Sequence, residues 1–216
     1  MDIKEFIDGL ELIDESACIS LDAKWGDGKT FFVRQIEEVL KYVLVNQWAD
    51  EENSIEKLPS YKYLKDNEMI AKMELKHSYL PIYYNAWMYD NHSDPLMSLL
   101  LVMTKTCKGV YDTKIDSEKI SKKLIEVVAT LPISLGEFKA NPFTAIEKLQ
   151  GKSMDILSLV QTEEEIRERV KGIFNDIIVE RAQKLIIFID ELDRCRPSFA
   201  IEMLERIKHY FDDERV

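Results

Sequence analysis

Eight consecutive residues, Ala23-Lys24-Trp25-Gly26-Asp27-Gly28-Lys29-Thr30, bring two glycines, a lysine and a threonine together at the spacing that holds a phosphate chain. Such a ligand needs inward-pointing backbone N–H groups, a helix N-terminus behind them, a mobile cation and a hydroxyl for a metal. Gly26 and Gly28 supply the backbone freedom that lets peptide groups curl around a β-phosphate. Lys29 would span the β- and γ-phosphates, and Thr30 would ligate Mg²⁺. The pattern is G-x-x-x-x-G-K-[ST] with one departure, Ala23 for the first glycine, which an ordinary negative φ accommodates. Asp27, an acid inside an anion-binding loop, is expected to point to solvent. The bland reading is a strand-to-helix turn with incidental Gly and Lys. Context argues against it, because residues 17–21 read as a buried strand and residues 30–45 repeat apolar side chains like a long helix.

A phosphate loop needs a second Mg²⁺ anchor at the C-terminal end of a neighbouring strand. Leu185-Ile186-Ile187-Phe188-Ile189 is an apolar run of the kind parallel strands show, and it ends in Asp190-Glu191. Asp190 would hold Mg²⁺ through water, and Glu191 is placed to polarise an attacking water as a general base. Two neighbours stay open. Arg194 is either a surface ion pair with Asp193 or a contact to phosphate or to a partner subunit. Asn85 is either a strand end capping the core, with Trp87 buried beside it, or a group near the γ-phosphate or a magnesium water.

Elements that could position these residues follow from periodicity. Ile3, Phe6, Ile7, Leu10 and Ile13 form the face of a short helix over residues 3–13. Residues 80–87 read as a strand, and Pro95 starts a helix that runs to about Cys107. Helical periodicity returns over 114–130 and 145–179, broken by Pro132, Gly136 and Pro142. Ser198 is expected to N-cap a last helix whose buried face carries Ile201, Leu204, Ile207 and Phe211. The fold class is α/β, with a mainly parallel sheet and a largely helical insertion between the glycine-rich loop and the acidic strand. The divisions are 1–49 for the loop and its flanking elements, 50–78 for a charged insertion, 79–108 for a core strand and helix, 109–183 for the helical insertion, and 184–216 for the acidic strand and its helix.

The 216 residues are 46% hydrophobic, enough for a real core, so disorder is excluded. A net charge of -11 argues against a nucleic-acid binder, which needs clustered Lys and Arg to displace counterions. Cys18, Cys107 and Cys195 show no zinc or disulfide spacing and fit a reducing cytosol. His77, His92 and His209 have no ligand spacing. The longest apolar candidate, residues 99–103, is far too short to span a membrane.

Three words carry a resemblance more specific than the loop alone. Trp25-Gly26-Asp27-Gly28-Lys29-Thr30, Tyr84-Asn85-Ala86-Trp87 followed by Asp94-Pro95-Leu96, and Asp190-Glu191-Leu192-Asp193-Arg194-Cys195 with Pro197 together resemble the KAP family of P-loop NTPases. Glu191 departs from that family's usual second Asp, and the insertion lacks the membrane helices many members carry. The resemblance implies Mg²⁺-dependent binding and hydrolysis of ATP by a cytoplasmic member, similar to bacterial relatives tied to phage defence or signalling. A nucleotide-dependent switch or scaffold with negligible turnover, and a P-loop kinase, are the rival functions. A homo-oligomer or a partner protein is left open. In the P-loop class with a catalytic Glu beside the magnesium Asp, one further strand lies between the loop strand and the acidic strand. A truncated chain lacking that strand and a C-terminal helical part is therefore expected, and ladder bonds between residues 17–21 and 185–189 would contradict it.

Overall fold

The computed structural model describes residues 2–48, 60–92, 94–110, 168–173, 182–211 and 216. Helix α1 (Ile3–Leu10) begins at Asp2, whose carboxylate accepts from the Glu5 amide while Glu5 reaches back to the Asp2 amide, so two orphan donors are satisfied at once. Its buried face is Ile7 and Leu10, as the spacing predicts. Helix α2 (Lys29–Trp48) opens directly on the glycine-rich turn. Short helices α3 (Tyr61–Lys65) and α4 (Glu68–Ala71) follow, then strand β1 (Tyr79–Asn85), a 3₁₀ turn over Ala86–Tyr89, and helix α5 (Pro95–Val110). Strand β2 (Lys184–Asp190), a second 3₁₀ turn over Leu192–Arg194 and helix α6 (Pro197–Tyr210) complete the described elements. Residues 168–173 are helical. Residues 114–130 and the rest of 145–179 lie outside the described residues, as do Pro132, Gly136 and Pro142.

β1 and β2 pair in parallel, Tyr79 opposite Lys184 and Asn85 opposite Asp190. α2 and α5 both pack on β1, which explains why Tyr79, Leu80, Ile82 and Tyr84 are all buried. The second half of α2, from Ile36 to Val45, is buried on nearly every side, as a helix enclosed by neighbours must be.

Residues 17–21 depart from expectation. They join no strand, residues 17–20 are exposed, and Ile19 keeps 53% of its surface in solvent. Among the described residues no ladder bond links them to β2, whose strand partner is β1. The two segments instead face each other across a cavity of about 670 Å³ lined by residues 17–23, Leu185 to Ile189, Leu204, Ile207 and Val216. A strand without a hydrogen-bonding neighbour cannot bury its backbone groups, so exposure follows from the missing pairing. The same opening leaves Ile186, Ile187 and Ile189 only partly buried, where a strand covered on both faces was expected.

α6 corrects two expectations. Pro197, not Ser198, sets the start: Pro occupies the first helical position with its φ already fixed, and Arg196 precedes it as N-cap. The helix buries Phe199, Met203 and Tyr210; of the expected face Phe211 is buried and Ile207 partly so, whereas Ile201 and Leu204 stay more than half exposed. α6 turns its buried side to α5, and Leu204 and Ile207 look onto the cavity.

The junction of α5 and α6 is ionic. Asp94 Oδ1 accepts from the Leu96 amide at 2.8 Å and so caps α5, while Oδ2 accepts from Arg206 Nη2 at 2.9 Å. Arg206 also reaches Glu202, but its Nε is buried without a partner among the described residues. Replacing Asp94 removes a cap and at once leaves the partly buried guanidinium with only its longer contacts to Glu202 and Tyr210. Asp94→Ala is expected to cost about 2–4 kcal/mol in urea unfolding, and a loss below about 0.5 kcal/mol would mean the pair is only decorative.

Candidate functional site

The glycine-rich turn folds as its composition demands. Gly26 and Gly28 take φ of +92° and +83°, values that side chains rarely adopt, and a Cβ at either would meet nothing within 4 Å. Conformation rather than crowding therefore requires glycine there. The Asp27 amide donates to the Lys24 carbonyl at 3.2 Å, and the Asp27 carboxylate accepts from the Lys24 amide at 3.0 Å. Asp27 is exposed, as expected, yet its carboxylate also folds back to brace the turn. Lys29, the first residue of α2, donates from Nζ to the carbonyls of Ala23 at 2.5 Å and Lys24 at 3.3 Å. The first turn of α2 holds no acid, and Asp27 lies two positions before its positive dipole end. Lys24, Trp25, Gly26, Asp27, Gly28 and Thr30 are all exposed, Trp25 to 83%.

At the end of β2 the carboxylates are held firmly. Asp190 Oδ2 accepts from the Tyr83 hydroxyl at 2.8 Å, and Oδ1 accepts from the Glu191 amide at 2.9 Å. Glu191 stands at φ +57°, the one non-glycine residue in the left-handed region among the described residues. Such a conformation persists only where surroundings over-determine it. Here they do: Asn85 Nδ2 donates to Glu191 Oε2 at 2.9 Å, and Arg194 Nη2 lies 3.3 Å from Oε1. Asn85 Oδ1 meanwhile accepts from the Met88 amide at 3.2 Å, capping the 3₁₀ turn. Trp87 is 54% exposed, contrary to the buried reading, because that turn carries it out of the sheet to lie 5.8 Å from the Arg194 guanidinium.

The cavity brings Ala23 and Lys29 together with Asp190, Glu191 and Asp193, residues more than 150 positions apart in sequence. Thr30, Asn85 and Arg194 are not in its wall. Burial pushes the Cys195 thiol up, with Asp90, Asp193 and Glu191 nearby adding to it. Sequence reasoning missed Tyr83 and Arg34. Burial pushes the Tyr83 phenol up to about 12, the Asp190 hydrogen bond adding to it and Arg34 opposing it. A usable signal existed for Tyr83: two residues before Asn85 on a strand, it shares Asn85's face.

One family model matches the chain, that of the KAP family P-loop domain, over residues 2–216. The chain belongs to this family. No curated protein and no solved structure matches it. The match makes the KAP chain a P-loop domain, and its parallel strand pair packed by helices is of α/β type. Among its described residues no helix is long and apolar enough to cross a membrane.

The residues present fit a magnesium nucleotide. A positive-φ glycine turn at a helix N-terminus is a geometry that can offer amides to phosphate, and the Asp190 carboxylate in the cavity wall is a hard oxygen donor of the kind Mg²⁺ takes beside phosphate and water.

Proposed function

We propose that this KAP chain binds ATP with Mg²⁺ through residues 23–30 and hydrolyses it. The observation that carries the reading is the pair of positive-φ glycines at the head of a 20-residue helix, with Lys29 lining the same cavity as Asp190 and Glu191. In this reading the amides of residues 25, 26 and 28–30 cradle the β-phosphate, those of Lys24 and Asp27 being used within the turn, and Lys29 exchanges the carbonyls of Ala23 and Lys24 for phosphate oxygens. Thr30 and Asp190 would hold Mg²⁺, which supplies charge neutralisation on the phosphates. Glu191 accepts the proton of the attacking water, and Arg194 stands ready to meet phosphate charge once it leaves Glu191. A cytoplasmic location and a role in phage defence or signalling belong to the same proposal and rest on the family resemblance.

One observation favours a second reading, a nucleotide-dependent switch with little turnover. Each Glu191 oxygen already has a partner, Asn85 on one and Arg194 on the other, so the carboxylate is held by protein groups rather than left open to a water. Thermal unfolding with ATP, GTP and CTP, each with Mg²⁺, tests binding and base preference together. At about 100 times Kd a ligand stabilises by about 2.7 kcal/mol, so a rise of roughly 5–10 °C is expected for ATP. No rise with any of the three would overturn both readings.

A further inference from the structure

Asp190 is oriented from outside its own strand, and the orienting groups trace back to the helix that begins with Lys29 and Thr30. We propose that Tyr83 and Arg34 are positioning residues for the magnesium site: they fix the Asp190 carboxylate relative to Thr30 through a side-chain bridge between α2 and β2. The proposal rests on the reading of Asp190 as a magnesium anchor.

The bridge is continuous. Tyr83 donates its hydroxyl to Asp190 Oδ2 at 2.8 Å, and the Arg34 guanidinium lies 3.2 Å from the centroid of the Tyr83 ring. Arg34 is itself held at Nη1 by Glu37 Oε2 at 2.8 Å, and Glu37, only 2% exposed, is fixed in turn by Lys41 at 2.7 Å. Arg34 lies one helical turn beyond Thr30, so the two share a face of α2. Arg34 is half exposed, whereas the Glu37–Lys41 pair behind it is buried, a costly place for charges if packing alone were needed, because aliphatic side chains would fill the same volume.

The fold gives the bridge its importance. Among the described residues no ladder bond runs from residues 17–21 to β2, so the backbone leading into the glycine turn does not set where Asp190 lies. Lys184 Nζ to the Ile13 carbonyl and the Ser16 hydroxyl to the Phe211 carbonyl tie that segment down far from Asp190; nearer the site the packing of α2 on β1 and the bridge relate the two halves. A hydrogen bond to the free lone pairs of a metal-binding carboxylate fixes which oxygen faces the metal, and outer-shell partners of this kind commonly tune metal affinity 10–100-fold.

Tyr83→Phe isolates the effect, since it keeps the ring and its stacking on Arg34 and deletes only the hydroxyl. Binding of a fluorescent ATP analogue to the full chain is titrated with Mg²⁺, and again in EDTA. The Mg²⁺ concentration at half-effect should rise about tenfold, while affinity in EDTA changes less than about twofold and the thermal midpoint moves by no more than about 2 °C. Arg34→Met, which keeps the stem and drops the cation, should shift the midpoint in the same direction by a smaller factor. Asp190→Asn should erase the Mg²⁺ response, and Tyr83→Phe on that background should add nothing, because the two act through one group. An unchanged midpoint in Tyr83→Phe, or an equal loss of affinity in EDTA, overturns the positioning role while leaving Asp190 as anchor. A wild-type chain indifferent to Mg²⁺ overturns the magnesium site and the bridge's role together.

Discussion

Lys29→Ala is expected to abolish binding of magnesium ATP, with at least about a hundredfold loss of affinity by calorimetry. A lysine ammonium between two phosphates makes charge-assisted hydrogen bonds worth about 1.5–3 kcal/mol each, and two of them account for that loss. No other lysine or arginine in residues 23–30 stands at the position the loop pattern gives to the phosphate cation, Lys24 lying five residues earlier. A second effect adds to the first. Lys29 Nζ closes the turn on the carbonyls of Ala23 and Lys24, so its removal also releases the loop that presents the amides. Retained protein stability with lost binding would separate ligand contact from folding. Unchanged ATP affinity in this variant would sink the assignment of residues 23–30 as a phosphate loop.

Glu191→Gln is expected to keep ATP binding and lose turnover by about 10²–10⁴-fold, the range a positioned general base contributes. The amide retains the shape and one acceptor for Asn85 or Arg194, but it cannot take a proton from water. The backbone strain at φ +57° is common to both side chains, so stability should change little. Phosphate release measured at saturating ATP separates the two readings. Turnover in the wild type that Glu191→Gln removes supports hydrolysis, full turnover in the variant moves the base elsewhere, and negligible turnover in both with ATP binding intact supports the switch.

The conformation of the glycine turn was legible because its determinants are local. A triphosphate needs its glycines, cation and hydroxyl within eight residues, and the positive φ at Gly26 and Gly28 is what those two glycines predict. The α1 face, the boundaries of β1 and β2 to within two residues, and Pro95 at the head of α5 were legible for the same reason, since capping and periodicity act over a few positions. The word Asp94-Pro95 was readable as a helix start, but its long-range half, the ion pair to Arg206, was not.

Tertiary structure alone decided which partners the site residues have. Tyr83 meets Asp190 and Asn85 meets Glu191 across 107 and 106 positions, through a strand register that no pattern within either segment encodes. Packing also chose the face of α6. Phe199 and Met203 were buried over Ile201 and Leu204 because α5 lies on one side of that helix and an open cavity on the other. Residues 17–21 show the same division most plainly. Their apolar run is a strand pattern in sequence, but a strand exists only when a neighbour completes its hydrogen bonds, and among the described residues none lies beside it.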